Sequence, residues 1–176
     1  MGLELAWSIG FATFMVAAMI SDVQTRRIPN GLVLAGLAFA LVLRATAGTA
    51  VIDGVIGAFL AFAIVLPLFA LRALGGGDAK LIAALGAFTG PSGLLDVLLA
   101  SAVAGGVLGV VVALRRGVLL PVVLGAKDLI AHGLSFGRSG ERPTLDSRAA
   151  VTVPYGAAVA TGSLFAWFVL LERAPW

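Results

Sequence analysis

The chain has 176 residues, of which 60% are hydrophobic and only 12% charged, and its mean hydropathy is +1.08. A soluble domain of this size cannot bury so much apolar surface, so the composition indicates an integral membrane protein. The chain has no cysteine, which excludes disulfides, thiolate chemistry and cysteine-ligated zinc, and its single histidine, His132, cannot form a metal site alone. We therefore expect no cofactor and no metal.

Long apolar segments rich in Ala, Gly, Leu and Val predict an all-α polytopic membrane bundle of about six transmembrane helices rather than a β-barrel. In chain order these segments are 5–20, 32–43, 51–71, 78–89, 94–114 and 149–171. The first ends in Asp22 and the Arg26–Arg27 pair rather than in a small-residue cleavage site, so we interpret it as a retained helix. The Pro29–Asn30 pair then breaks the chain and starts the second segment. A turn is expected at 90–93, before the fifth.

The fourth segment is short for a membrane helix. At about 1.5 Å per residue it spans about 18 Å, well under the roughly 30 Å of the hydrocarbon core. Two arrangements would accommodate it: the bilayer thins locally, or the loop before it lies below the membrane surface in a cavity that is lined by protein and filled with water. The second would place Asp78 at the bottom of a cytoplasmic funnel.

The basic residues predict the orientation. With the N-terminus outside, two of the 12 basic residues, Arg44 and Arg173, lie on the outer side and the other ten are cytoplasmic. The cytoplasmic set is Arg26, Arg27, Arg72, Lys80, Arg115, Arg116, Lys127, Arg138, Arg142 and Arg148. This asymmetry follows the positive-inside rule and puts Asp22 and Asp78 on the cytoplasmic face. We interpret 117–148 as a cytoplasmic loop with an interfacial amphipathic helix, and 1–176 as a single membrane-embedded domain.

A glycine run with an acid and a base, Gly75-Gly76-Gly77-Asp78-Ala79-Lys80, precedes the fourth segment. Ionisable residues so close to lipid are costly, which makes this stretch a candidate functional site. The glycines allow a tight turn and the close approach of a second chain. The simpler interpretation is that Asp78 caps the helix that follows it.

A second acid, Asp22, lies at the C-terminal end of the first helix and is predicted on the same membrane face as Asp78. Alone it could be an incidental acid in a turn. Together, two carboxylates that hold one proton can activate a water molecule and protonate a substrate carbonyl. A serine–lysine mechanism by Ser21 and Lys80 is the weaker alternative.

Three short motifs in this order resemble the signatures of the type IV prepilin peptidases. Residues 21–30, Ser-Asp-Val-Gln-Thr-Arg-Arg-Ile-Pro-Asn, resemble the first signature, in which an Asp ends the first core helix and Ile-Pro-Asn follows. Residues 75–80 resemble their Gly-x-Gly-Asp signature with a Lys two residues later, and Pro154-Tyr155-Gly156 resembles their Pro-[Phe/Tyr]-Gly motif. The resemblance extends over nearly the whole chain.

The resemblance implies a membrane aspartic endopeptidase of the Gly-x-Gly-Asp class, which removes the basic leader of prepilins or pilin-like proteins at the cytoplasmic membrane face. The two catalytic aspartates of the family correspond to Asp22 and Asp78. The remaining motif residues would support the active-site loop or line the substrate site. The expected supporting residues are Gly75, Gly76, Gly77, Lys80, Pro29 and Asn30, and the expected substrate-lining residues are Pro154, Tyr155 and Gly156.

The sequence starts directly with the first core helix and has no cysteine, so we expect neither the methyltransferase region nor the cysteine-based zinc motif of the larger members. It therefore resembles the short form, as in Flp (tight-adherence) pilus systems or the archaeal preflagellin peptidases. The implied partners are a prepilin, which is a leader followed by an apolar helix, and the lipid bilayer of the cytoplasmic membrane. No nucleic-acid partner is expected, and the oligomeric state is open.

Two other functions stay open from the residues. A small transporter or channel subunit would use Asp78 and Lys80 as an ion relay at mid-membrane depth. A non-catalytic pilus or secretion assembly protein would keep the same fold with inactive acids. A nucleotide site is poorly supported, because residues 75–80 lack the Gly-x-x-x-x-Gly-Lys-[Ser/Thr] spacing.

Overall fold

A computed structural model of the chain describes residues 2–70, 74–115, 117 and 155–170, and all the regular structure in these ranges is helical. The helices are α1 (Gly2–Thr25), α2 (Asn30–Ala47), α3 (Val51–Ala70), α4 (Gly76–Arg115) and α5 (Tyr155–Phe165), and α5 continues into a π-helical turn (Ala166–Leu170). The predicted interfacial helix within 117–148 and the predicted site residue Pro154 lie outside the described residues.

The longest helix, α4, is broken at Gly90. Its 40 residues form two arms, 76–89 and 91–115, because Gly90 has φ 65° and ψ −177°, a conformation that side chains disfavour. Pro91 starts the second arm, a position where its missing N–H costs nothing. The sequence predicted a four-residue turn over 90–93 and a helix start at Asp78. Both predictions were wrong in detail, since the break takes a single residue and α4 begins at Gly76.

The helices are those of a multi-pass membrane protein. Four of them, α1 to α4, are long and apolar enough to cross a membrane, and a shorter apolar helix runs over Tyr155–Val169. With α4 divided at Gly90, the described helical segments correspond one by one to the predicted ones. At about 1.5 Å per residue the first arm of α4 is about 21 Å long, so the predicted short segment is confirmed. The predicted all-α membrane bundle is therefore confirmed, and its orientation stays a prediction.

An aromatic cluster joins the middle of α1 to the end of the first arm of α4 and to the π-helical turn after α5. Phe11 of α1 stacks on Trp167 with ring centroids 4.1 Å apart and meets Phe88 of α4 edge-on at 5.4 Å. The Trp167 indole N–H donates to the Ser8 hydroxyl at 3.3 Å. This cluster lies about 16 Å along α1 from Asp22 and fixes the relative positions of the three helices that carry Asp22, Asp78 and Tyr155.

A close contact between backbones joins α3 to the first arm of α4. A Cβ added at Gly57 would overlap the carbonyl oxygen of Gly86, and one added at Gly86 would overlap that of Gly57. Ala61 follows Gly57 at the spacing that places both on one face of α3, and its Cβ would lie 2.7 Å from a Cβ at Gly86. Small residues at this spacing let backbones touch, which drives helix association in lipid.

We expect Gly57→Ala to destabilise the bundle by about 2 kcal/mol, because the added methyl group forces α3 away from α4 in an already close-packed contact. Equilibrium unfolding of the full chain in detergent measures the change. Gly106→Ala is the matched control, since nothing lies within 4 Å of a Cβ at that position. Equal stability of the two variants would contradict the contact.

Candidate active site

The C-terminus of α1 is locked into a fixed turn. The Arg26 N–H donates to the Asp22 carbonyl at 2.8 Å, and Arg26 itself adopts a left-handed φ of 52°, as helix C-terminal motifs require. Ser21 and Thr25 both donate their hydroxyls to the Arg27 carbonyl, at 2.8 and 3.1 Å. These bonds hold the last turn of α1 and the residues after it in one conformation, which fixes the position of Asp22.

The residues after this turn pack on the glycine run. Ile28 is buried, and a Cβ built on Gly77 would lie 3.4 Å from the Ile28 Cβ, so a glycine permits close contact there. Pro29 is the N-cap of α2, with φ −61° and ψ 136°. Lys80 donates its ammonium to the Asn30 side-chain oxygen at 3.0 Å. The structure thus joins the two motifs, which are about 50 residues apart in the sequence.

Asp22 and Asp78 line one cavity of about 310 Å³. Their carboxyl groups interact electrostatically across it. The lining comes from the end of α1, the turn after it, the start of α2 and the start of α4. The lining residues are Asp22, Arg26, Arg27, Ile28, Asn30, Gly75, Gly76, Gly77, Asp78 and Lys80. The structure therefore brings the first two predicted motifs together around one space.

Asp22 is 7% exposed and meets the N-terminus of α5. Its Oδ2 accepts a hydrogen bond from the Ala157 N–H at 3.1 Å, and helix N-termini are natural sites for carboxylates. A Cβ on Gly156 would lie 2.9 Å from the same oxygen. Gly156 thus contacts Asp22 directly. Ala157 was not predicted from the sequence as a hydrogen-bond donor to Asp22. An acid at the C-terminus of its own helix is unfavourable, however, and this position indicated that Asp22 has a donor from elsewhere in the chain.

Asp78 is the third residue of α4 and reaches back to the residue before the helix. Its carboxylate accepts a hydrogen bond from the Gly75 backbone, the return bond of a capping box. Asp78 is therefore not the N-cap that the simpler interpretation expected, because α4 begins two residues earlier, at Gly76. The same carboxylate also lines the cavity. Tyr155, at the start of α5, interacts electrostatically with Asp78, and its ring lies 3.2 Å from a Cβ built on Gly105.

The alternative serine–lysine pair is not brought together by hydrogen bonds. The Ser21 hydroxyl donates to the Arg27 carbonyl and the Lys80 ammonium to Asn30. Within the described residues, no group of three or more His, Asp or Glu side chains is placed to hold a metal ion. The chemistry that this cavity offers is that of two carboxylic acids with cations on its rim.

The comparison with protein families agrees with this geometry. The sequence profile of the type IV leader peptidase family matches residues 9–110, more than half of the chain. The matched range includes both acids, the turn at Pro29 and the glycine run, and it ends before α5. Neither the curated proteins nor the solved structures gave a significant match. The chain belongs to the type IV leader peptidase family and is a membrane-embedded peptidase.

Proposed function

We propose that the protein is an aspartic endopeptidase that cleaves the leader from type IV prepilins or pilin-like proteins, with Asp22 and Asp78 as the catalytic pair. One observation carries the proposal: two carboxylates from different helices line one cavity in a chain of a peptidase family. The cavity adjoins the bilayer-spanning segments, which suits a substrate that is itself anchored by an apolar helix.

The reaction follows from the charge state of the pair. With one proton between them, the ionised carboxylate takes a proton from a water molecule while the protonated one donates to the scissile carbonyl oxygen. Water oxygen bonds to the carbonyl carbon, and the tetrahedral intermediate then breaks its C–N bond as a proton passes to the leaving amine. At the end of the reaction the two carboxyl groups again hold one proton between them. Which aspartate is the base is a property of the coupled pair.

The glycine run supports substrate access to the acids. Gly75, Gly76 and Gly77 line the cavity without side chains, so an extended peptide can approach the backbone there. The prepilin helix docks laterally in the bilayer, and its leader crosses the cavity. Arg26, Arg27 and Lys80 on the same lining agree with a cytoplasmic position under the positive-inside rule.

The contacts do not favour the transporter alternative. A relay between Asp78 and Lys80 requires the two groups to exchange protons or ions, whereas Lys80 donates to Asn30 and Asp78 accepts from Gly75. The third possibility, an assembly protein with inactive acids, differs from a peptidase only in turnover, so it is separated by an activity measurement.

The test is cleavage of a purified prepilin by the full chain reconstituted in lipid nanodiscs, followed by mass spectrometry of both products. We expect one cut, after the last leader residue, and catalytic turnover without added metal. An intact substrate in the presence of a folded, helical enzyme, across prepilins of the Flp and type IV classes, would contradict the proposal and favour the assembly function.

A further inference from the structure

A buried arginine lies at the opposite end of the first arm of α4 from Asp78. Arg44 of α2 is 4% exposed, and its guanidinium donates from Nε to the Ala87 carbonyl at 3.0 Å and from Nη2 to the Phe88 carbonyl at 3.1 Å. These carbonyls belong to the last turn before the break at Gly90, where a helix leaves acceptors without intrahelical partners. Unsatisfied acceptors are costly in an apolar interior, so Arg44 completes the end of this arm.

The surroundings of Arg44 are shaped to its side chain. A Cβ on Gly90 would lie 2.9 Å from Nη2, and a Cβ on Gly54 of α3 would lie 2.7 Å from Cδ. The Trp7 ring lies under the guanidinium, 5.5 Å from Cζ to the ring centroid, and Asp53 interacts with it electrostatically. A planar, forked donor fits this place, whereas the single ammonium of a lysine offers no fork.

The two bonds fix both the depth and the rotation of the arm. Consecutive carbonyl oxygens lie about 100° apart around the helix axis, so one rigid guanidinium that binds both prevents the arm from turning. The arm is too short for the bilayer thickness to set its depth, and its contacts must do so instead. At its cytoplasmic end the Lys80–Asn30 bond is exposed and therefore weak. The buried anchor at Arg44 is the stronger of the two.

We propose that Arg44 is a positioning residue, which anchors the outer end of the first arm of α4 and thereby aims Asp78 into the cavity that it shares with Asp22. Asn30 and Arg44 both belong to α2, so this helix makes hydrogen bonds to the first arm of α4 near both ends of the arm. The catalytic part of this inference rests on the proposed function, whereas the anchoring itself does not.

The absence of native cysteine makes a direct structural test available. Ile28→Cys with Gly77→Cys is the reporter pair, because the Cβ positions are 3.4 Å apart, close to the separation of a disulfide. Ser101→Cys with Ser163→Cys is the control pair, since these hydroxyls lie 3.1 Å apart between the second arm of α4 and α5. Each pair is placed in full-length chains with Arg44, Arg44→Lys or Arg44→Met, and the rate of disulfide formation in membranes is measured.

We expect Arg44→Met to slow disulfide formation in the reporter pair and leave the control pair unchanged. In the cysteine-free chain the same substitution lowers kcat for a prepilin about tenfold to a hundredfold while KM changes little, because misplacing one reacting group slows chemistry more than binding. For Arg44→Lys we expect intermediate disulfide rates and an intermediate kcat, since the charge and one donor nitrogen remain. If Arg44 were only structural, Arg44→Met would lower the stability of the chain without lowering kcat at a nearly unchanged KM.

The outcomes separate the inference from the proposed function. If the reporter disulfide of Arg44→Met forms at the wild-type rate, the anchoring is refuted, whatever happens to cleavage. If neither the reporter nor the control disulfide forms, the anchoring is also refuted, because Arg44 then holds the whole bundle together. Unchanged kcat with a slowed reporter would refute the link to Asp78. If the unsubstituted chain cleaves no prepilin but the reporter slows selectively, the proposed function fails and the anchoring stands.

Discussion

We expect the replacement of Asp22 or Asp78 with asparagine to lower prepilin cleavage at least about a thousandfold, because in the proposed mechanism each variant removes one of the two groups that handle the protons of the reaction. Asparagine keeps the size of the side chain and an oxygen acceptor. The Ala157 N–H therefore retains a partner at position 22 and the helices stay in place. Initial rates on a purified prepilin, with circular dichroism and melting of each variant, measure the effect.

The matched control is Asp96→Asn. Asp96 is an exposed acid on the second arm of α4 and is not part of the cavity that holds the two site acids. The Asp96→Asn variant should cleave the prepilin at the wild-type rate. A variant at position 22 or 78 that retains a tenth or more of wild-type activity would show that the two acids do not act as a catalytic pair.

We expect Gly156→Ala to lower kcat for a prepilin about a hundredfold, because the new methyl group takes space that the Asp22 carboxylate occupies. A Cβ at this position would lie 2.9 Å from Asp22 Oδ2 and 3.0 Å from its Cγ. Either the carboxylate turns away or the start of α5 moves, and in both cases Asp22 loses its bond from the Ala157 N–H. The expected loss is in kcat rather than in overall helix content.

Kinetics on the purified variant and on Gly109→Ala provide the comparison. Nothing lies within 4 Å of a Cβ at Gly109, so that substitution tests the general cost of alanine in a glycine-rich bundle. If Gly156→Ala and Gly109→Ala have the same kcat, the contact between α5 and Asp22 has no catalytic importance, and Gly156 serves the helix start alone.

The sequence predicted the site best where local chemistry determines the structure. The break at Pro29, the glycine run and the position of each acid at a helix end depend on neighbours in the chain, and the structure agrees with all three. The apolar segments likewise predicted the helices within a few residues at most ends. The family match then confirmed the resemblance that these motifs suggested.

Other features depend on residues that are distant in the sequence. Asp22 meets Ala157, 135 positions away, and no local pattern specifies that partner. Arg44 was predicted only as an outer charge, because the positive-inside rule counts charges and does not ask whether they are buried. Its role depends on two carbonyls 43 and 44 positions further on. The break at Gly90 was predicted as a longer turn, since Pro91 was taken for part of the loop rather than a helix start.

The most direct test of the paired acids is a cross-link between positions 22 and 78. In membranes, the chain with Asp22→Cys and Asp78→Cys should react with a short bifunctional thiol reagent to give an intramolecular cross-link, absent from either single variant. The Ser101→Cys and Ser163→Cys pair reports that the bundle is intact. Cross-linking of positions 22 and 78 within one chain is the predicted result. If the chain with the 101–163 pair is cross-linked but the separate chain with the 22–78 pair is not, the shared cavity is contradicted.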